Sequence, residues 1–410
     1  MNRWPFTVLL AATVVGCAAT LVEGPGTTST SNPTPITSIP NSTTTTATTP
    51  PQATTTPTTT FPATTTTTLV ASDGLTATDR TLAKVATIAG SISPKSVVAS
   101  GDGLFFAQNM MYRHTITVYD RDYELVATLS DAVVPVEFGH EDFPGEFLGS
   151  PVEAAFTSEG RYAYVSNYRM YGGGLSRAAG DDCNAGNWPD SFVYRIDTAS
   201  LQIDQLVRVG SVPKFLAVSP DDQHLVVSNW CGFDISIVDL ATGAELTRID
   251  VGRHPRGIAI TPDSRTAYVA VMGSRDIAMV DLVNHHVDYI ENVGRSPRHL
   301  ILSPDGKSLF ISLNGDGQLA KLDLESGEVL ARVATGAAPR SMTLSDDGTA
   351  LYVVNYNSNT MSKVRTADMV EIEEHPTNTH PIGITYDPAT RQVWVSNYSG
   401  TIQVFEDSSP

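Results

Sequence analysis

Hydrophobic and polar residues alternate in short runs through most of this chain, and the runs come in sets of four. A first alternating run leads to a turn, Ser219-Pro220-Asp221-Asp222, Thr261-Pro262-Asp263-Ser264, Ser303-Pro304-Asp305-Gly306 or Ser345-Asp346-Asp347-Gly348. A second run follows, such as His224 to Ser228 or Ala350 to Val354, then a third ending at Asp197, Asp239, Asp281 or Asp323, then a fourth such as Glu245 to Val251. Alternation that stops at a Pro/Asp/Gly turn marks a half-buried strand entering a hairpin. The sets are punctuated by Gly-x-x-Pro, with prolines at Pro213, Pro255, Pro297, Pro339 and Pro381, 42 residues apart each time.

Two earlier copies fit once insertions are set aside. Pro151 precedes Pro213 by 62 residues and Pro94 precedes Pro151 by 57, so these copies carry roughly 20 and 15 extra residues against the 42-residue period. Four short strands per repeat of this length predict propeller blades, and seven copies predict an all-β, seven-bladed β-propeller over residues 78–407. The last copy stops after its third strand, Thr401 to Phe405. The segment Thr81 to Ile88 before the first copy reads as the missing fourth strand, so an N-terminal strand is expected to close the last blade and remove an exposed edge.

The N-terminal part reads differently. Arg3 precedes an apolar run, Phe6 to Val15, which is too short to span a bilayer and reads as a secretory signal. Val14-Val15-Gly16-Cys17 resembles the bacterial lipoprotein box, which implies cleavage after residue 16 and a lipid on Cys17. An ordinary signal peptide followed by a cysteine is the alternative. Residues 17–75 are dominated by Thr, Pro and Ser and cannot bury enough apolar surface to offset their ordering entropy, so they are expected to form an extended tether. The expectation is an extracytoplasmic domain anchored to the bacterial cell membrane by lipid alone. Charge narrows the partners: 26 basic against 44 acidic residues give a net charge of -18, which argues against nucleic acid as the partner of the bulk surface.

Tyr164-Val165-Ser166-Asn167, Val226-Val227-Ser228-Asn229, Tyr352-Val353-Val354-Asn355 and Val393-Trp394-Val395-Ser396-Asn397 each follow a Ser-Pro-Asp-Gly-like turn. In this they resemble the YVTN β-propeller repeat, over residues 81–407. The resemblance implies the fold. Its members include periplasmic and surface proteins, with propeller lactonases as distant relatives, so it implies no single function.

Candidate chemistry gathers at one face. The residues following the repeat proline are Lys95, Val152, Lys214, Arg256, Arg298, Arg340 and Ile382, basic in five blades of seven. Such a ring at a channel mouth would hold a carboxylate or phosphate; equally, each base could pair with a blade aspartate or carbonyl. Asn109, Asn167, Asn229, Asn355 and Asn397 end second strands and read as turn-capping residues. Two insertions are expected on the same face as a recognition rim: Val133 to Leu148 with His140, Glu141 and Asp142, and Tyr168 to Asp190 with Tyr171 and Trp188. Trp230 joins them from blade three. With Cys17 lipidated, Cys183 and Cys231 remain as a pair in an oxidising compartment, in corresponding loops of adjacent blades, and are expected to form a disulfide.

His254 and His380 occupy equivalent positions before Pro255 and Pro381 and are placed at the mouth. Together with His299, Glu153 and His140 they lack tight ligand spacing, so no metal, cofactor or catalytic residue is assigned. A monomeric ligand- or protein-binding scaffold at the envelope is expected, its partner an envelope protein, a polymer or a small anion. A propeller-lactonase-like hydrolase or lyase is the alternative, and a structural surface protein or single-strand binder a third.

Overall fold

Proline and glycine mark out repeats that each fold into one four-stranded antiparallel sheet, paired in sequence order. The computed structural model describes residues 74–110, 113–173, 175, 183 and 188–409. Cys17, the signal segment and nearly all of the tether segment lie outside the described residues. The innermost strands of blades one to seven are Ser96–Ala99, Pro151–Phe156, Pro213–Val218, Pro255–Ile260, Pro297–Leu302, Pro339–Leu344 and Pro381–Asp387, and each packs against the next until the seventh meets the first. Seven blades therefore surround one axis, with no α-helix among the described residues.

The core is divided into seven apolar clusters, one between each pair of neighbouring blades. Second strands such as Phe105–Asn109, Ala350–Asn355 and Gln392–Asn397 are buried at every position because a blade lies against each face. The outer strands keep a half-exposed alternation, as in Val329–Ala334. Trp394 of blade seven, the largest fully buried side chain among the described residues, stacks on Phe105 of blade one at 3.8 Å.

The repeat signatures have local causes. In each Ser/Thr-Pro-Asp turn the hydroxyl accepts the N–H five residues on, as His224 N–H to Ser219 Oγ at 2.9 Å. The fourth turn residue is left-handed, at φ 55° for Asp222 and 70° for Gly348, which favours Gly, Asp and Asn there. Each aspartate ending a third strand accepts the N–H three residues on, as Thr242 N–H to Asp239 at 2.8 Å. These aspartates cap turns at the end of the blade opposite the Gly-x-x-Pro loops.

Closure is by an N-terminal strand. Thr81–Ala89 is the outermost strand of blade seven, antiparallel to Thr401–Ser408, with Thr81 opposite Ser408 and Ala89 opposite Thr401. Along it Leu82 is the single buried side chain, so apolar burial contributes little to its attachment. A polar clasp adds to it. Lys363, fully buried, donates to the Arg80 carbonyl at 2.8 Å and Asp407 Oδ1 at 2.6 Å and lies 3.2 Å from Glu373, which accepts from the Leu82 N–H. Arg121 of blade one forks onto Asp387 of blade seven at 2.8 and 2.9 Å, on the other side of the same blade.

Candidate functional site

The first strand of a blade starts at the repeat proline, and its pairing with the second strand slips at once. Register shifts fall between Pro151 and Glu153, Pro213 and Phe215, Pro255 and Ile258, Pro297 and His299, Pro339 and Met342, and Pro381 and Gly383. The residue before the proline is left-handed, at φ 58° for Val212, 60° for His254, 51° for Ser296 and 56° for Ala338 and His380. A bulge adds one residue to one strand and re-aims its side chain. Here the re-aimed residue is the one after proline, so Lys214, Arg256, Arg298 and Arg340 converge with Lys95 on one cavity of about 610 Å³. Val152 and Ile382, at the two apolar positions of the ring, are buried beside it.

A second repeat position completes the walls. The residues that follow the second strands are Met110, Tyr168, Trp230, Met272, Asn314, Tyr356 and Tyr398, and all but Asn314 line the cavity. Lys214 Nζ lies 4.2 Å from the Tyr168 ring centre and 5.2 Å from that of Trp230, and the Arg340 guanidinium lies 3.4 Å from that of Tyr356. Arg169 and Tyr171, themselves stacked at 4.5 Å, come from the second insertion.

Lys95, Lys214, Arg256 and Arg298 are 6–8% exposed, and Glu153 lies near Lys95 and Arg256. Burial, followed by the charges of Arg256, Arg298, Arg340 and Lys214, holds the Lys95 amine well below its ordinary range. Burial and the Arg256 and Arg340 charges act on Arg298 in the same sense, partly opposed by Tyr398 and Glu153. Burial, partly opposed by Tyr356, pulls Arg340 down to about 10. Burial pushes the Glu153 carboxyl up despite Lys95 and Arg256. His299 is pulled down to about 3 by burial and then by Arg256 and Arg298, so it is neutral at pH 7; its Nδ1 accepts the Met342 N–H at 3.3 Å.

Comparison with known proteins places this geometry on a familiar scaffold. Residues 206–387 match the YNCE-like β-propeller family. Among solved structures, hydrazine synthase of Kuenenia stuttgartiensis is similar, with a TM-score of 0.61 and 16% identity over 79% of this chain and 98% of that one. That likeness concerns the fold alone. No curated protein matches by sequence. The chain is a β-propeller protein.

Several sequence expectations about the propeller's mouth need correction. His254 and His380 do not line the cavity. They lie behind its wall, His254 stacked on Trp230 at 4.5 Å and His380 on Tyr356 at 4.3 Å, because their left-handed backbone turns them away from the bulge. The first insertion also misses the cavity. It forms a short ribbon, Ala132–Val133 with Phe147–Leu148, and a 3-10 turn, Pro135–Phe138, that packs Phe138, Phe143 and Phe147 onto the flank of blade two. There His140 Nε2 meets the Leu206 carbonyl at 3.1 Å, Asp142 pairs with Arg208 at 2.9 Å, and Glu141 is exposed. Apolar content fixed its place.

From the second insertion, Tyr171 reaches the cavity while Trp188 is buried against Val152, Tyr168 and Val212. The disulfide is present between Cys183 and Cys231, beside Trp230. The second-strand asparagines staple strands together, Asn229 Nδ2 donating to Asp234 and to Ser236 Oγ at 2.7 and 2.8 Å and Asn355 Nδ2 to Thr360 and Ser362 at 3.1 and 2.8 Å, while Asn109 and Asn167 also cap loops, accepting the Ser93 and Ser150 N–H at 2.9 and 3.0 Å. Sequence reasoning singled out Trp230 but not Met110, Tyr168, Met272, Tyr356 or Tyr398. The signal was there, one position past each second strand.

Proposed function

We propose that the protein is a YVTN-type β-propeller that binds an anion in the mouth of its channel, held outside the cytoplasmic membrane by a lipid on Cys17 and a Thr/Pro-rich tether. The observation that carries this reading is the convergence of Lys214, Arg256, Arg298 and Arg340, each placed by the same bulge in blades three to six, with Lys95 on one cavity. The turn and third-strand aspartates that could have neutralised them are spent on turns at the other end of the blades. Burial and neighbouring cations both disfavour charge on Lys95 and Arg298, a cost that an anionic ligand would offset. The anion is either a small solute or an acidic group displayed by an envelope polymer or protein. An envelope partner reaching the mouth would be met by the same cations.

Titration with sulfate, phosphate and a uronate oligosaccharide, followed by the emission of Trp230, tests the reading. Binding should weaken as salt rises and vanish in Arg256→Met plus Arg298→Met. No response from the native protein to any of the three would sink it. The anchor is tested separately: Cys17→Ala should release the protein from membranes into the soluble envelope fraction.

A further inference from the structure

We infer that Asp131 and His114 are positioning residues of the anion site: together they set Tyr171 in the wall of the mouth, and they do so fully only while Asp131 is ionised. This rests on the reading of the cavity as an anion site. Asp131 leads into the first insertion and Gly149 leads out of it, and the two stems meet where the Gly149 N–H reaches the Asp131 carbonyl at 3.2 Å. His114, in the loop between the second and third strands of blade one, binds both stems. Its Nδ1 faces two acceptors, the Gly149 carbonyl at 2.7 Å and Asp131 Oδ2 at 3.2 Å, and therefore carries a proton. The His114 ring meets Tyr171 edge to face at 5.4 Å, and Tyr171 lines the cavity. Two backbone bonds between Leu148 and Tyr171, at 2.7 and 2.9 Å, carry the position of the stems into the second insertion. A Cβ on Gly172 would strike the Phe147 ring, so the two insertions have no slack where they join.

The charge on Asp131 decides how firmly the imidazole is held. The titratable groups facing this buried carboxyl are His114 from blade one and Tyr194 from the third strand of blade two, whose hydroxyl is spent on the Asp131 main-chain carbonyl at 2.8 Å. Burial, opposed first by His114, raises Asp131 from 3.8 to about 6, so an ionised carboxylate here costs stability at neutral pH. In return it is a strong acceptor, since a hydrogen bond to an ionised group is roughly twice as strong as a neutral one. As pH falls through about 6 the carboxyl becomes neutral, the bond to Nδ1 weakens, and His114 is held chiefly by Gly149. Tyr171 then rests on a looser edge. Arg169, 4.5 Å from the Tyr171 ring centre, stays charged throughout and adds no pH dependence. The direction sets this effect apart from plain electrostatics. Acid otherwise favours a bound anion, because Lys95 and Glu153 gain protons; Asp131 acts in the opposite sense.

Calorimetric titration with sulfate, a dianion across the whole range, at about pH 7.5 and about pH 5 tests the pair. Asp131→Asn keeps the shape of the neutral carboxyl and cannot ionise. Native protein is expected to bind sulfate roughly fivefold or more tightly than Asp131→Asn at about pH 7.5, the lower end of coupling between sites, and equally at about pH 5. Lys95 and Glu153 titrate alike in both proteins, so the ratio isolates Asp131. His114→Gln removes the same bond from the other side and should show the same loss at about pH 7.5. Tyr171→Phe keeps the ring and should preserve the ratio, whereas Tyr171→Ala should erase it, binding sulfate alike with and without Asp131→Asn. A ratio that does not change with pH, or native protein that binds more weakly than Asp131→Asn at about pH 7.5, overturns the inference and leaves the anion site standing. A ratio that survives Tyr171→Ala overturns it as well, since Asp131 then acts by another route. If native protein binds no sulfate at either pH the inference falls, and if phosphate and the uronate also fail the proposed function falls with it.

Discussion

Replacing Lys363 with methionine should loosen the closure of the ring. The strand that closes it, Thr81–Ala89, buries one side chain, Leu82, so its attachment rests on the backbone ladder to Thr401–Ser408 and on the clasp around the Lys363 amine. Methionine fills the same space but withdraws one cation from three oxygens. Asp407, 1% exposed, keeps among the described residues the Tyr352 hydroxyl at 2.6 Å; Glu373 keeps His375 at 2.8 Å and the Leu82 N–H at 3.1 Å; the Arg80 carbonyl loses the amine. Removing one partner of a buried pair costs ~3–5 kcal/mol, chiefly through the charge left behind. Roughly 330 residues unfolding with ~2.1 cal/mol/K each give about 0.7 kcal/mol/K, so the melting temperature should fall by about 4–7 °C.

Calorimetry measures the fall, and limited proteolysis locates it: residues 74–89 should be the first cleaved in the variant. Adding Asp407→Asn removes the stranded charge and should restore about 2 kcal/mol. The acid limb gives a further check. Burial pushes the Glu373 carboxyl up, but His375, the Leu82 N–H and Lys363 together hold it below its ordinary 4.5. Its stabilisation is therefore complete above pH 4.5 and lost as pH falls through the lower folded value, and the loss should be smaller in Lys363→Met. A loss under about 1 kcal/mol in the single variant, or a double variant weaker than the single, would refute the clasp.

Three other outcomes follow from the geometry. A Cβ on Gly257 would lie 2.7 Å from the Arg298 carbonyl and from the His299 Cα, so Gly257→Ala should push the inner strands of blades four and five apart. It should cost roughly 1–3 kcal/mol in urea denaturation and weaken anion binding by displacing Arg298. Opening the Cys183–Cys231 bridge, which spans 48 positions, removes a loop constraint of about 4 kcal/mol on the unfolded chain, and Cys183→Ser plus Cys231→Ser should lower the urea midpoint up to that limit. Burial, opposed by His114, raises Asp131 from 3.8 to about 6. A raised carboxyl favours folding at low pH, and that advantage is lost as pH rises from about 4 to 6. Native protein should thus lose stability relative to Asp131→Asn across that window, as followed by urea midpoints against pH.

Most of the fold was legible because a propeller repeats its instructions. Strand alternation, the Ser-Pro-Asp turns and the 42-residue spacing depend on interactions within a few residues, such as Ser219 capping its own turn and Asp239 the next. The closing strand was legible for the same reason, as the strand the last repeat lacked. Position after proline marked the five cations as equivalent, and equivalent positions of a repeat converge about its axis. Three-dimensional packing decided the remainder. The two insertions could not be placed from their polar residues, because the phenylalanines of the first found an apolar flank on blade two and took His140, Glu141 and Asp142 with them. His254 and His380 share the cations' repeat unit but not their direction, since a left-handed residue before a bulge points behind the wall. The sequence thus determined the blades, their number and the residues eligible for the mouth. Only the tertiary structure decided which of them face the cavity, because a side chain's direction at a bulge and a loop's resting place depend on contacts between blades that no local pattern encodes.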